Sequence, residues 1–412
     1  MENNTYNCRF CGKELHQVFV DLGISPLANS YLMVDDLQKM EPHYPLCIYV
    51  CDECYLVQLP VFETPEGIFT DYAYFSSFSD SWLKHAKTYT EMMIERYGYN
   101  GNSFVIEIAS NDGYLLQYFK EKSIPILGIE PAKNVAVAAN EAGIPTLVKF
   151  FGTNTAKELA AEGKYADLII GNNVLAHVPG LNDFVEGMKI VLKKDGVITM
   201  EFPHLMRLVV ENQFDTMYHE HFSYFSFSTV EKVFASHGLT LFDVEELPTH
   251  GGSLRIYARH SVDDTKAVSE RVVDLKSREE VLGMTKMEYY LDFGEKVKET
   301  KRRILDFLIK AKREGKSIVG YGAPAKGNTL LNYCGVRTDF FEYTLDRSPH
   351  KQGQYLPGTH IPIYHPDKVK ESKPDYLVIL PWNLKDEIMD QMSYIREWGG
   401  KFVTLIPEPE VF

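Results

Sequence analysis

Short apolar runs alternate with stretches of helical period through the middle of the chain. The pattern predicts strands at 103–109, 126–130, 146–149, 166–171 and 196–201. It predicts helices between or before them, at 81–97, 114–120, 134–142 and 183–192. Strands that alternate with helices at this spacing form a doubly wound, mainly parallel sheet. A helix at 229–237 then precedes two strands, 241–245 and 253–259, that are joined without a helix, which predicts an antiparallel edge.

The last third of the chain repeats the α/β pattern after a charged connector. Residues 261–316 have a helical period, and we expect a mainly solvated connecting helix there. Strands are predicted at 317–322, 340–345, 376–380 and 402–406, with a helix at 328–333. The sequence therefore predicts an α/β protein in three parts: a small β-rich module at 1–75, a doubly wound domain at 76–260 and a second Rossmann-like domain at 261–412.

Four cysteines in two short pairs mark the first part. Cys8 and Cys11 form one C-x-x-C pair, and Cys51 and Cys54 form the other. Four thiolates are the ligand set of a closed, tetrahedral structural zinc site, and the two-residue gap lets both sulfurs of a pair turn toward one ion. Redox pairs or buried thiols are the alternatives, but a redox C-x-x-C usually lies near a βαβ pattern, which is missing from the sequence around these pairs. We expect a zinc-stabilised module.

Composition narrows the class of protein. The chain has 412 residues, 45% of them hydrophobic and 24% charged, with a formal net charge of −14. This acidic balance argues against a nucleic-acid-binding protein and against attachment to an anionic membrane surface. The sequence has no apolar run of about 20 residues and no signal-peptide pattern. Metal-binding cysteines suit a reducing compartment, so we expect a cytoplasmic protein.

The turn after the first strand of the middle domain is the candidate cofactor site. Glu107 lies on the strand, and Ser110, Asn111 and Gly113 form the turn that follows. Ligands of open α/β sheets bind beyond the carboxyl ends of the strands. The turn lacks the G-x-G-x-x-G pattern of a pyrophosphate-binding loop, which disfavours a nicotinamide cofactor without removing it as an alternative.

Two more residues complete this site. The second strand ends in Glu130, whose carboxylate is placed to accept both hydroxyls of a ribose. The fourth strand ends at Asn172. The pattern resembles the class I S-adenosylmethionine methyltransferases. That resemblance implies that the 110–113 turn lines the cofactor, that Glu130 holds the ribose and that Asn172 lies near the methionine.

A run of acid–base groups follows at 218–225, with the sequence YHEHFSYF. In a helix His219 and His221 would point apart, whereas an extended strand would place both on one face. Their spacing does not match the H-E-x-x-H metal motif. A histidine acting as a general base at neutral pH is the favoured interpretation, and an aromatic core with hydrogen-bonded histidines is the alternative.

Taken in order, these features resemble the nucleotide-sugar C-methyltransferases that build branched-chain deoxysugars. The markers are the four cysteines, the 218–222 run, the HGGSLR stretch at 250–255 and the glycine-rich loop at 320–328. The resemblance implies methylation at carbon 3 of a thymidine-diphosphate-linked 4-keto-deoxyhexose. It implies that His221 is the base, with His219 as its competitor, and that Glu220, Tyr218 and either Tyr72 (preferred) or Tyr74 orient or polarise the sugar.

The second α/β domain supplies the candidate substrate grip. Lys326 and Asn328 lie in a glycine-rich loop that opens a helix, and Lys351 lies in the loop after the next strand. Cations and a helix N-terminus suit a nucleotide diphosphate. The resemblance adds His250, Ser253 and Arg255 to the substrate-binding candidates.

Several alternatives stay open from the sequence. The glycine loop has a purely structural interpretation. An O- or N-methyltransferase acting on a similar sugar, or a non-catalytic zinc-scaffolded protein that binds sugar nucleotides, fits the same motifs. The resemblance also favours a monomer.

Overall fold

The computed structural model describes residues 5–69 and 75–412, which form three sheets with helices packed around them. The strands are β1 Gln17–Ser25, β2 Tyr44–Val50, β3 Val57–Gln58, β4 Val105–Ile108, β5 Ile126–Ile129, β6 Thr146–Leu147, β7 Ala166–Asn172, β8 Leu192–Pro203, β9 Ser223–Tyr224, β10 Leu239–Leu247, β11 Ser253–His260, β12 Ile318–Tyr321, β13 Thr344–Leu345, β14 Ile363–Tyr364, β15 Tyr376–Ile379, β16 Lys401–Thr404 and β17 Glu410–Val411. The α-helices are α1 Pro65–Phe69, α2 Asp80–Tyr97, α3 Leu116–Glu121, α4 Lys133–Glu141, α5 Thr153–Ala161, α6 Leu181–Val191, α7 Leu205–Val210, α8 Phe227–Ser236, α9 Glu270–Val281, α10 Glu288–Leu291, α11 Phe293–Arg313, α12 Ala325–Cys334, α13 Val369–Ser372 and α14 Lys385–Gln391.

The largest sheet has seven strands in the order β10-β11-β8-β7-β4-β5-β6. Strands β4 to β8 run parallel, and β11 is antiparallel to both of its neighbours. This confirms the doubly wound sheet and its antiparallel edge. Helix α5 had no counterpart in the sequence prediction. Strands β5 and β6 are added to the sheet on one side of β4, and β7 and β8 are added on the other side. At this change in strand order, the carboxyl ends of β4, β5 and β7 face a common crevice.

A four-stranded antiparallel sheet holds the cysteine pairs, in the order β1-β2-β3-β9. Its last strand comes from the middle of the chain: Val57 pairs with Tyr224, and Gln58 pairs with Ser223. Strand β9, which directly follows residues 218–222, is therefore part of the sheet of the zinc module. The N-terminal module and the run at 218–222 are held together by backbone hydrogen bonds.

The third sheet has six strands in the order β14-β13-β12-β15-β16-β17, all parallel except β17. The expected α/β character of the last third is confirmed. The strand predicted at 340–345 is reduced to Thr344–Leu345, and β14 and β17 were not predicted. The two-residue strands are too short to show a hydrophobic period of their own.

The connector is more than a solvated helix, so that expectation was wrong. It forms α9, α10 and α11, and α11 buries a face that includes Phe293. The ring of Phe293 stacks on Phe19 of the zinc module with centroids 4.6 Å apart, and Tyr290 stacks on Tyr55 at 5.8 Å. Apolar residues at helical spacing bury one face while the charged face stays in water. Within 5–69 and 75–412, no helix combines the length with the apolar content that a membrane span needs.

Candidate active site

A cavity of about 550 Å³ lies at the carboxyl ends of β4, β5 and β7 and is shared by all three parts of the chain. Nine of the predicted site residues line it together: Asn111, Glu130, Asn172, Tyr218, Glu220, His221, His250, Lys326 and Lys351. The structure therefore brings the predicted cofactor, catalytic and substrate groups to one place. A volume of this size is typical of a small-molecule site.

The turn after β4 forms the floor at one end of the cavity. Its backbone takes positive φ angles at Ala109 (56°), Asn111 (50°) and Gly113 (82°). A Cβ on Gly113 would lie 2.8 Å from the side chain of Ile144, so only glycine fits this tight turn. Glu107, Ser110 and Gly113 are outside the cavity lining. Both Glu107 and Ser110 are fully buried, so these three residues shape the turn from beneath.

Glu130 is the carboxylate at the end of β5. Its two oxygens accept hydrogen bonds of 2.9 Å from the backbone amides of Asn111 and Ala132. Burial raises the pKa of Glu130, and the two amide bonds oppose that rise. Each carboxylate oxygen keeps a lone pair for a further donor, which suits the two hydroxyls of a ribose.

Asn172 gives a second indication of a polar ligand. It is buried at the end of β7, and its amide nitrogen has no hydrogen-bond partner among the described residues. A buried donor left without a partner costs free energy. The pair formed by Glu130 and Asn172 therefore fits S-adenosylmethionine, which offers ribose hydroxyls as donors and a carboxylate as an acceptor.

His221 has a defined tautomer. Its Nδ1 lies 2.8 Å from the carbonyl oxygen of Thr216, and its Nε2 lies 2.9 Å from the hydroxyl of Tyr218. Because a carbonyl oxygen only accepts, Nδ1 carries the proton and Nε2 keeps the lone pair. Burial lowers the pKa of His221 well below its ordinary value, and nearby His177 adds to the shift. The imidazole is therefore neutral at pH 7, with its basic nitrogen on the Tyr218 side.

Glu220 is held by a residue of the zinc module. The amide nitrogen of Asn29 donates to both carboxylate oxygens, at 2.7 and 2.9 Å. Burial raises the pKa of Glu220 to about 7, while Asn29 and the charge of Lys351 oppose the rise. Asn29 lines the cavity and was missed from the sequence, because a single asparagine 191 positions before its partner gives no local signal.

His219 points away from the cavity. Its Nε2 contacts the carbonyl oxygen of Pro45 at 3.2 Å, and its ring packs against Tyr44 and Phe62. His219 and His221 share neither a helix nor an extended strand, because residues 219–220 form a turn before β9 begins. The geometry therefore disfavours His219 as the competing base.

His177 is a cavity residue that the sequence argument did not single out. Its ring lies 4.7 Å from that of His221, edge to face. Burial lowers its pKa to about 4, so it stays neutral beside His221. The available signal was its place just after β7, at the lip of the sheet.

The HGGSLR stretch divides into one cavity residue and its supports. His250 lines the cavity, meets the ring of Trp82 at 5.3 Å, and has a pKa lowered by burial to about 4. Ser253 donates to the carbonyl of Thr249, and Arg255 is paired with Glu201 and Glu245 at 3.0 Å each. Ser253 and Arg255 are outside the cavity lining, and their partners make them supports of the turn that presents His250.

The second α/β domain contributes two lysines. Lys326 Nζ donates to Asn383 Oδ1 at 2.8 Å, and Lys351 Nζ donates to the carbonyl of Ala323 at 2.8 Å. Asn328 is outside the cavity lining, and its amide donates to the carbonyl of Ala28 in the zinc module at 2.6 Å. Tyr72 and its alternative Tyr74 lie outside the described residues.

The four cysteines form one cluster away from the cavity. Their sulfurs all lie within 4.8 Å of one another, with Cys8–Cys54 at 3.6 Å and Cys11–Cys51 at 3.5 Å. Four sulfurs bound at ~2.3 Å to a tetrahedral ion are ~3.8 Å apart, so the cluster fits zinc.

Comparison with known proteins covers nearly the whole chain. The family model described as "Putative zinc binding domain" matches residues 8–69, "Methyltransferase domain" matches 85–244 and "C-methyltransferase C-terminal domain" matches 248–407. The C-methyltransferase NovU of Streptomyces niveus is 34% identical over 404 residues, which are 98% of this chain and 96% of that protein. The chain belongs to the C-methyltransferase family.

Two solved structures each match less than half of this chain. The PH0226 protein of Pyrococcus horikoshii is 16% identical, with a TM-score of 0.38, over 48% of this chain and 99% of that one. Magnesium protoporphyrin IX methyltransferase (ChlM) from Synechocystis, solved with bound S-adenosylmethionine, is 12% identical, with a TM-score of 0.34, over 43% of this chain and 79% of that one.

The family assignment explains the composition of the site. This C-methyltransferase depends on S-adenosylmethionine, and the residues that fit it lie on the domain matched as a methyltransferase. The cysteine cluster lies within the segment matched as zinc-binding. The cavity receives side chains from both domains and from the zinc module, so all three parts contribute to one site.

Proposed function

We propose that this C-methyltransferase methylates carbon 3 of a thymidine-diphosphate-linked 4-keto-deoxyhexose in the cytoplasm. One observation carries the proposal: a neutral His221, whose lone pair is on Nε2, shares a cavity with the carboxylate that fits the ribose of the methyl donor. A carbon atom needs such a base, because it is not a nucleophile until it loses a proton. A ketone next to that carbon makes the proton removable by spreading the charge onto oxygen.

His221 accepts the proton in the proposed step. Nε2 takes the proton from carbon 3, and the electron pair of the broken C–H bond moves toward the oxygen at carbon 4. When bound, S-adenosylmethionine would supply an electrophilic methyl group and would keep the electrons of the broken S–CH₃ bond as a neutral thioether. The hydroxyl of Tyr218 lies 2.9 Å from Nε2 and donates to its lone pair while the sugar is absent. In the proposed complex this O–H turns to the oxygen at carbon 4, which frees the Nε2 lone pair for the proton of carbon 3, and Glu220 orients the sugar ring. A donor aimed at a forming oxyanion contributes ~3 kcal/mol. Tyr72 is assigned to the same group of sugar contacts.

The two lysines support a nucleotide diphosphate as the handle of the substrate. Lys326 lies at the start of the ten-residue helix α12, and Lys351 lies in the loop that follows β13. Both line the cavity, together with Pro324 and Ala325 at the helix N-terminus. Two cations beside a helix N-terminus stabilise phosphate charge.

A panel of nucleotide-linked sugars tests the proposal. The full-length protein is incubated with ¹³C-methyl S-adenosylmethionine and with dTDP- and UDP-linked 4-keto-deoxyhexoses, and the products are analysed by carbon NMR. We expect a dTDP-linked 4-keto sugar to gain the label on carbon 3. The label on another ring carbon, or turnover confined to a substrate without the ketone, would contradict it.

A separate experiment tests the proposed contact between Lys326 and the diphosphate. Lys326→Ala is expected to raise the KM for the sugar nucleotide about tenfold with a small change in kcat, because it removes one charged contact. Lys316→Ala is the matched control, since Lys316 is paired with Asp375 at the other end of β12. An unchanged KM for Lys326→Ala would remove the contact.

A further inference from the structure

We propose that Trp382 is a positioning residue that couples the C-terminal domain to the catalytic base through Asp215. Trp382 lies in the turn after β15, and Asp215 lies in the turn before the acid–base run. The inference rests on the proposed function in one respect, the role of His221 as the base. It adds a reason why the base and the sugar-nucleotide grip belong to one catalytic unit.

The first link is a hydrogen bond between domains. The indole Nε1 of Trp382 donates to Asp215 Oδ2 at 2.7 Å. Asp215 is completely buried, and its other oxygen, Oδ1, has no hydrogen-bond partner within the described part of the chain. Burial raises the pKa of Asp215 to about 6, which Lys326, the indole and the backbone amides of Asp215 and Thr216 oppose. A buried carboxylate depends strongly on each hydrogen bond that it accepts.

The second link joins Asp215 to the base. The next residue, Thr216, provides the carbonyl oxygen that accepts the proton of His221 Nδ1 at 2.8 Å. Phe214–Thr216 is a single 3₁₀ turn, so the side chain of Asp215 and the carbonyl of Thr216 move together. Trp382 therefore fixes the group that decides the tautomer of His221.

Two further contacts of the indole involve residues that line the cavity or support it. Lys326 Nζ lies 4.5 Å from the centroid of the Trp382 ring, a cation–π contact. On another side, a Cβ on Gly251 would collide with the ring, so the indole packs directly against the turn that presents His250. One side chain thus contacts the supports of His221 and His250 and contacts Lys326 itself.

Phenylalanine and asparagine variants separate this role from packing. Trp382→Phe keeps an aromatic ring beneath Lys326 but lacks the N–H donor, and Asp215→Asn keeps the shape of the acceptor but lacks its charge. Each is expected to lower kcat about tenfold, the effect of losing a hydrogen bond to a charged group, with a KM within about twofold of the unaltered enzyme. Trp398→Phe is the matched control, because its indole donates to Pro374 in the same domain and is outside the cavity lining.

The double variant gives the decisive comparison. If both residues act through one bond, Trp382→Phe with Asp215→Asn loses little more than either single variant. Losses that multiply, or single variants with a kcat within twofold of the unaltered enzyme, would overturn the coupling. Trp382→Leu also removes the platform beneath Lys326, so its KM is expected to rise about fivefold in addition.

A measurement without substrate separates this inference from the proposed function. In full-length protein labelled with ¹⁵N-histidine, the His221 signals are identified by their loss in His221→Asn. We expect the protonated Nδ1 signal of His221 to shift in Trp382→Phe and Asp215→Asn and to stay in place in Trp398→Phe. An unshifted signal would overturn the coupling even if His221→Asn abolishes turnover. Full turnover of His221→Asn would instead overturn the proposed base.

Discussion

The Nδ1 atom of His221 lies 2.8 Å from the carbonyl oxygen of Thr216, and this bond decides which nitrogen of the ring is basic. It leaves the lone pair on Nε2, toward Tyr218 and the cavity. Burial lowers the pKa of His221 well below its ordinary value, so the ring stays neutral across the neutral pH range. In the pH profile of kcat/KM, the fall in activity caused by protonation of His221 is therefore expected below pH 6.5, the ordinary pKa of histidine.

The pKa of Glu220 predicts a second change in the pH profile of kcat/KM, near neutral pH. Glu220 has a pKa of about 7, so its carboxyl is protonated below that pH and ionised above it. Asn29 donates to both oxygens and favours the ionised form, and kcat/KM is expected to rise with pH through about 7. Asn29→Leu removes this support, so the pKa rises and the limb moves to higher pH by about one unit.

The pH profile of kcat/KM checks this prediction in three variants. Glu220→Gln should abolish the limb near pH 7. Asn140→Leu, which changes an exposed asparagine at the end of α4, should leave the limb in place. A limb at an unchanged pH in Asn29→Leu would show that the zinc module does not tune Glu220.

Replacing Glu130 is predicted to weaken the binding of the methyl donor. Glu130→Gln replaces a carboxylate oxygen with an NH₂ group, which cannot accept from an amide or a ribose hydroxyl. We expect the Kd for S-adenosylmethionine, measured by calorimetry, to rise about tenfold to a hundredfold. Glu141→Gln, an exposed change in the same helix–strand unit, is the control. Equal affinities in the two variants would show that Glu130 does not hold the ribose.

Zinc is predicted to matter for turnover as well as for folding. Asn29 contacts Glu220, and β9 pairs with β3, so a disordered module would disturb the catalytic run. Cys54→Ser is expected to lose the metal, to melt several degrees lower and to lose at least tenfold in kcat. Its affinity for S-adenosylmethionine should remain, because Glu130 and Asn172 belong to the other sheet.

Cys47→Ser is the matched control for that experiment, since Cys47 lies on β2 outside the four-cysteine cluster. Metal content by elemental analysis and melting by calorimetry give the two structural readings. A Cys54→Ser enzyme that has lost its zinc but keeps normal turnover would separate the module from catalysis.

Much of the fold follows from local pattern. The strands from β4 to β8 are apolar runs followed by turn residues, and the late pair without a helix between them gives the antiparallel edge. What the sequence did not predict depends on long-range pairing. Strand β9 has only two residues and exists because Val57 and Gln58 offer it an edge.

The candidate site was predicted where chemistry and position coincide. Glu130 was identifiable because an acid at the end of the second strand is placed to accept the hydroxyls of a ribose. The pair His219 and His221 could not be separated from sequence, because the turn at 219–220 sends the two rings to different domains. Asn29 and Trp382 depend on contacts between distant segments, for which a single sequence carries no signal.

Hydrogen exchange at carbon 3 shows whether His221 removes the proton from the sugar. The enzyme is incubated in D₂O with a dTDP-linked 4-keto-deoxyhexose and S-adenosylhomocysteine in place of the methyl donor, and deuterium at carbon 3 is followed by proton NMR. His219→Asn serves as the histidine control. We predict rapid exchange with the unaltered enzyme and with His219→Asn, and a rate lower by about 10²–10⁴ with His221→Asn. Exchange at the normal rate with His221→Asn would contradict the account.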